Sequence, residues 1–219
     1  MLWYQWMALA AVGFCGISCL FQVFRLIRLG KPVDHSRAAG NTKKAIAYAF
    51  TGAMSPTKKE SAYLHLPTYT AGLLYHLGTF LSILLFIFII SGFVLSGWIS
   101  YAISVFLIIT VCCGTAILIK RVIKKELRSL SNPDDFISNL LVTLFQLFTL
   151  LVISTPFLLS SHSPTVLQSY YLIFTLLMLY LPVGKLRHTV YFFAARYHLG
   201  YFFGKRGVWP PGQLKAGDR

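Results

Sequence analysis

Acidic residues are scarce in this 219-residue chain: six Asp and Glu stand against 20 Lys and Arg, and charged residues of both signs make up only 12%. A folded domain in water carries about twice that share, so a soluble globular protein is excluded. Cysteine is sparse too. Cys15, Cys19, Cys112 and Cys113 lie in apolar stretches without other ligands at metal-binding spacing. They argue against a structural zinc site, read as buried small apolar residues, and report no redox compartment. No internal repeat is present, and the words Tyr75-His76-Leu77-Gly78 and Tyr197-His198-Leu199-Gly200 coincide without a longer match. Apolar residues dominate instead: 56% of the chain is hydrophobic, 16% aromatic, and mean hydropathy is +0.67. The chain belongs in a bilayer.

Crossing a hydrocarbon core of about 30 Å takes roughly 20 apolar residues in a helix. Five runs qualify, at 3–24, 71–95, 97–119, 136–160 and 166–188. Residues 83–90 are continuously apolar and 142–159 are uncharged, which is not the alternating polarity of a membrane barrel. The fold class is therefore an all-α integral membrane bundle of five transmembrane helices. The first run has no basic residue before it and no convincing cleavage site, so it reads as a retained helix and not a signal peptide.

All 26 charged residues fall on one side of this arrangement: around the loop 30–70, in the loop 120–135, and from Lys185 onward. The loops near Gly97 and at 161–164 carry none. Short basic loops stay in the cytoplasm, which puts the N-terminus outside and the C-terminus inside, in the cell's inner membrane. In a soluble protein a net charge of +14 would suggest nucleic acid. Here it reports topology and contact with anionic headgroups, with docking of an acidic soluble partner as a second use and no nucleic acid implied.

The division is a membrane domain over 1–203 and a basic tail over 204–219, expected to be extended. Within the first cytoplasmic loop, residues 43–50 have the pattern of a short amphipathic helix, lying at the headgroups or serving a partner. The run Ser131-Asn132-Pro133-Asp134-Asp135 writes a helix start: a capping residue, Pro at the first helical position, then acids at the positive end of the dipole.

An ionisable residue in a membrane is a functional hypothesis by default. His35 and His162 sit in loops. His76 lies inside the second run, and His188 ends the fifth. The two runs are antiparallel with their basic ends together, so the imidazoles come to one depth, as in a haem held between two helices. The alternatives are a carbonyl-bonded histidine paired with one at the headgroups, a metal site, or a proton relay. Gly72, Gly78 and Gly184 would let a flat macrocycle approach, and Lys185 and Arg187 would pair with its propionates. His65 and His198 form a second matched pair, displaced about 15 Å toward the cytoplasm. Pro67 argues against a continuous helix from His65 to His76, and surface positions for both are the simpler account.

These features resemble the cytochrome b (gamma) subunit of respiratory nitrate reductase. The resemblance rests on the five spans, the outside N-terminus, Tyr75-His76-Leu77-Gly78, and Leu181-Pro182-Val183-Gly184-Lys185-Leu186-Arg187-His188. The stretch His198–Gly207 and Asn132-Pro133-Asp134-Asp135 are similar to membrane subunits of heterodisulfide-reductase-like complexes. The resemblance implies electron transfer between a membrane quinone and a cytoplasmic iron–sulfur subunit through b-type haem, with His76 and His188 as axial ligands. The family's usual second haem would take ligands at Phe86 and Tyr170, which cannot serve, so one haem is expected and the outer quinol site is put in doubt. The rival is a haem-free membrane anchor that tethers a soluble complex by its basic face. The lack of any ionisable residue near a midplane argues against a transporter and against a transmembrane proton path.

Overall fold

The structure, a computed structural model, describes residues 1–30, 34–58, 65–93, 95, 97–158 and 164–211. Among these it is all helix: α1 Trp3–Arg28, α2 Thr42–Phe50, α3 Leu66–Ile90, α4 Gly97–Ile123, α5 Lys125–Ser129, α6 Pro133–Leu158, α7 Pro164–Tyr180 and α8 His188–Lys205, with single 3₁₀ turns at Gly52–Met54, Pro56–Lys58 and Lys185–Arg187. In hydrocarbon only a helix or a closed barrel satisfies its own backbone, and long apolar sequence settles the choice. Four helices, α1, α3, α4 and α6, are long and apolar enough to cross a membrane, or five spans if α7 and α8 together make one broken span. Trp3, Trp6, Trp98 and Tyr101, at the charge-free starts of α1 and α4, are exposed, as aromatic residues at a membrane interface are.

The continuity of the fifth expected span is corrected. A continuous helix over 166–188 does not form: α7 stops at Tyr180 after 17 residues, about 26 Å and short of a full crossing. Pro182 has no N–H to continue the ladder, and the amides of Val183 and Gly184 both turn back to Tyr180 O, at 3.1 and 2.8 Å. The capping expectation holds. Asn132 Oδ1 accepts from Asp135 N and Asp135 Oδ2 accepts from Asn132 N, both at 3.0 Å, a reciprocal capping box with Pro133 opening α6.

The chain divides into two compact units. The first comprises Met1–Ser18 and Pro67–Leu186. Its α6 packs against both α4 and α7. Gly78 on α3 lies against Thr110 of α4, and Gly114 on α4 against Tyr75 and Thr143, so closely that a Cβ at either glycine would collide. Cys15 is buried as expected, but Cys112 is exposed and Cys19 and Cys113 only partly covered, since helix rotation and not apolarity decides which face meets lipid.

The second unit comprises Cys19–Leu66 and Arg187–Arg219. Its core is the pairing of α2 with α8. Asn41 caps α2 by accepting from Lys44 N at 3.1 Å. Lys43 and Lys44 are exposed, while Ala45 and Ala49 are buried. Opposite them stand Gly200 and Gly204, also spaced by four: a Cβ on Gly200 would come 2.6 Å from Ile46 Cα, and one on Gly204 2.5 Å from Ala45 Cβ. Small residues at this spacing let two helix backbones touch. The apolar face of the short helix is thus answered from within the chain.

The extended tail expected from Gly204 is corrected over its described residues: α8 runs to Lys205. Through Trp209 the chain folds back, with Trp209 against Phe203 (4.8 Å between ring centres) and Tyr48 (5.6 Å); 212–219 lie outside the described residues. Arg206 makes a forked pair to Asp34, Nη1 to Oδ2 at 2.8 Å and Nη2 to Oδ1 at 3.3 Å, and Lys205 Nζ donates to Asp34 O at 2.6 Å. The Ser36 amide, its hydroxyl, and the Arg206 and Lys205 charges lower the Asp34 pKa from 3.8 to about 2. A carboxyl depressed on folding adds stability above its unfolded pKa and loses it as pH falls through the folded value. Protease resistance of this unit is therefore expected to fall between pH 4 and pH 2 in the native protein. Asp34→Asn should lower it at neutral pH and flatten that dependence; a wild-type profile in the variant would refute the linkage.

Candidate functional site

His76 lies on α3, one turn after Gly72, and its Nδ1 lies 2.7 Å from Gly72 O. A carbonyl only accepts, so Nδ1 carries a proton and donates it to Gly72 O. The ring is exposed on the helix surface. Ten residues further along α3, Phe86 stacks on Phe174 at 3.6 Å between centres and approaches Tyr170 at 6.3 Å. Phe145, Tyr170, Tyr171 and Phe174 are all almost fully buried around it. Phe86 and Tyr170 thus share a depth, and the space between their helices is filled with rings, which leaves no gap for a macrocycle there.

From that contact, ten residues toward the basic end lead to His76 on α3 and to Tyr180 on α7, about 15 Å along each. The helix rise that would carry on to His188 ends at Tyr180, and His188 instead opens α8, exposed beside exposed Arg187. Lys185 has a carboxylate partner: its Nζ pairs with Asp135, which also takes Arg121 Nη1 at 3.1 Å. Asp135 thereby ties the basic ends of α4 and α6 and the start of the turn after α7.

The three glycines proposed to admit a macrocycle part company. Nothing stands within 4 Å of a Cβ at Gly72, whereas Gly78 is covered by Thr110 and Gly184 by the Tyr180 ring. Pro67 sits in the first turn of α3, where proline is tolerated, and that helix begins at Leu66, so no continuous α-helix joins His65 to His76. His65 is exposed in the turn just before α3, and His198 is half-buried on α8. His35 is exposed; His162 lies outside the described residues. Among the described residues no three His, Cys, Asp or Glu side chains converge as a metal site.

Comparison with known proteins adds nothing to this geometry: no family model, no curated protein and no solved structure matches the chain.

Two features of the first unit carry no sequence motif. One is a cavity of about 490 Å³ at the charge-free end, lined mainly by apolar side chains such as Leu85, Phe88 and Ile153, with Gln5, Ser100 and Tyr171 as its polar groups. Gln5 Nε2 reaches Tyr171 OH at 3.5 Å. The other is a polar cluster between α3 and α6. Tyr75 OH meets Asn139 O and Thr143 Oγ1, both at 2.9 Å, while Gln146 Nε2 donates to Tyr75 O at 3.0 Å and Thr79 Oγ1 at 2.8 Å. Only a tally of Asp135, Ser138, Asn139, Thr143, Gln146 and Thr149 on one face of α6 would have signalled it, because each alone is an ordinary polar residue in an apolar run.

Proposed function

We propose that this multi-pass membrane protein is a cytochrome b subunit of the inner membrane. It would pass electrons between a membrane quinone and an iron–sulfur protein on the cytoplasmic side, with one b-type haem held by His76 and His188. The observation that carries the reading is His76 itself: an exposed imidazole in a helix long and apolar enough to span a membrane, oriented by the bond of its Nδ1 to Gly72 O, as ring N–H groups of ligating histidines commonly are. The open Cβ position at Gly72 supports it. The haem would supply one-electron chemistry, at a potential set by its ligands, burial and neighbouring charge. Arg187 is the cation best suited to a propionate, since Lys185 already faces Asp135. The cavity at the outer end has the apolar walls and few polar groups that a quinone head requires.

The test is haem stoichiometry by pyridine haemochrome on the purified full chain. One haem per chain is expected. None would leave the haem-free anchor, whose basic face tethers a soluble complex, and two would favour an added site at His65 and His198.

A further inference from the structure

The buried face of α6 is polar along most of its length. Asp135, Ser138, Asn139, Thr143, Gln146 and Thr149 are each 9% exposed or less, and their spacing of three and four places them in one stripe. Opposite this stripe, α3 contributes Tyr75 and Thr79 through the hydrogen bonds described above. Further toward the charge-free end the partners run out. The hydroxyls of Ser82 on α3 and Ser104 on α4, and Oε1 of Gln146, are buried without a hydrogen-bond partner among the described residues.

Their depths agree. Gly78 and Thr110 touch where α3 and α4 cross. From there Ser82 lies four residues outward and Ser104 six, or about 6 and 9 Å along antiparallel helices. One turn beyond Ser104, Ser100 lines the outer cavity and donates to Ile153 O at 3.1 Å. An orphaned buried oxygen costs about 1–3 kcal/mol, and three at neighbouring depths are the surroundings in which internal water resides.

We propose that this seam is a proton path, joining the basic end of the bundle beside Asp135 to the cavity at the charge-free end through hydroxyls, amides and the waters they hold. Between Asp135 and the cavity the seam's groups on α3, α4 and α6 are hydroxyls and amides, with no carboxylate of the kind that binds a metal cation. A proton instead passes as successive transfers along hydrogen bonds, one entering at one end as another leaves at the other. Titratable side chains are not needed inside the span, so the lack of an ionisable residue near a midplane, which argued against a proton path in the sequence, does not stand against this one. The path operates without a bound haem and therefore stands apart from the proposed electron-transfer function.

The full chain in phosphatidylethanolamine–phosphatidylglycerol vesicles, with an entrapped pH dye and a potassium gradient opened by valinomycin, reads the path without quinone or electron donor. Proton flux severalfold above protein-free vesicles is expected. Gln146→Leu should abolish it but also removes two hydrogen bonds that hold α3 to α6. The Ser82→Ala, Ser104→Ala double variant removes only hydroxyls without a partner among the described residues, so it should fold with a melting temperature no lower than wild type and still lose most of the flux. Wild-type flux no greater than that of empty vesicles would overturn the proposal, and so would full flux in the double serine variant. Flux from a pigment-free preparation would sustain the path while removing the haem.

Discussion

His76→Ala is expected to abolish the reduced b-type absorption that the proposed haem would give the purified protein, while leaving the bundle folded. The imidazole is exposed and its Nδ1 bonds within its own helix, to Gly72 O, so truncation opens no cavity in the packed core. Substitutions at such positions usually shift stability by no more than about 0.5 kcal/mol. An axial ligand behaves differently, since its loss removes the pigment altogether. His188→Ala should do the same, because a haem of this type needs both imidazoles. Spectra and melting temperatures measured together separate the accounts: a merely structural histidine would lower the melting temperature and leave any colour in place. Full absorption in either variant would refute the ligand assignment.

Gly200→Val is expected to undo the pairing of α2 with α8. The new Cβ would meet Ile46 Cα at 2.6 Å and Ala45 O and Ile46 N at 3.0 Å, and all three are backbone atoms that cannot rotate away. Overpacking typically costs about 1–3 kcal/mol and more where nothing can give, so faster proteolysis within 34–58 should follow. Gly13→Ala and Gly16→Ala on α1 are the contrast, with nothing within 4 Å of either Cβ. There a helical Gly→Ala change should stabilise by up to about 1 kcal/mol. Equal protease sensitivity of Gly200→Val and wild type would show that the helices do not touch in this way.

Legibility in the sequence followed the range of the interactions. Long apolar runs announce α1, α3, α4 and α6 because a bilayer forces every uncharged stretch of that length into a helix. The start of α6 is equally plain, since the capping box is written in four consecutive residues, Asn132 to Asp135. Pro182 shows where such reading fails. A proline near the end of an apolar run is compatible with a kink or a stop, and the turn of the Val183 and Gly184 amides back to Tyr180 O decided for a stop. The same limit governs the glycines: Gly72, Gly78 and Gly184 look alike in sequence, yet one faces open space while Thr110 and Tyr180 fill the room beside the other two.

The scarcity of acidic residues and the length of the apolar runs were enough to establish a multi-pass helical membrane protein, because transfer of charge and of unsatisfied backbone into hydrocarbon is penalised wherever it occurs in the chain. Only tertiary structure showed that packed rings fill the interior between Phe86 and Tyr170, that α2 rests on Gly200 and Gly204, and that scattered Ser, Thr, Asn and Gln residues assemble into one buried polar seam. Those outcomes depend on the rotation and register of one helix against another, which are properties of pairs of segments and are written in neither segment alone.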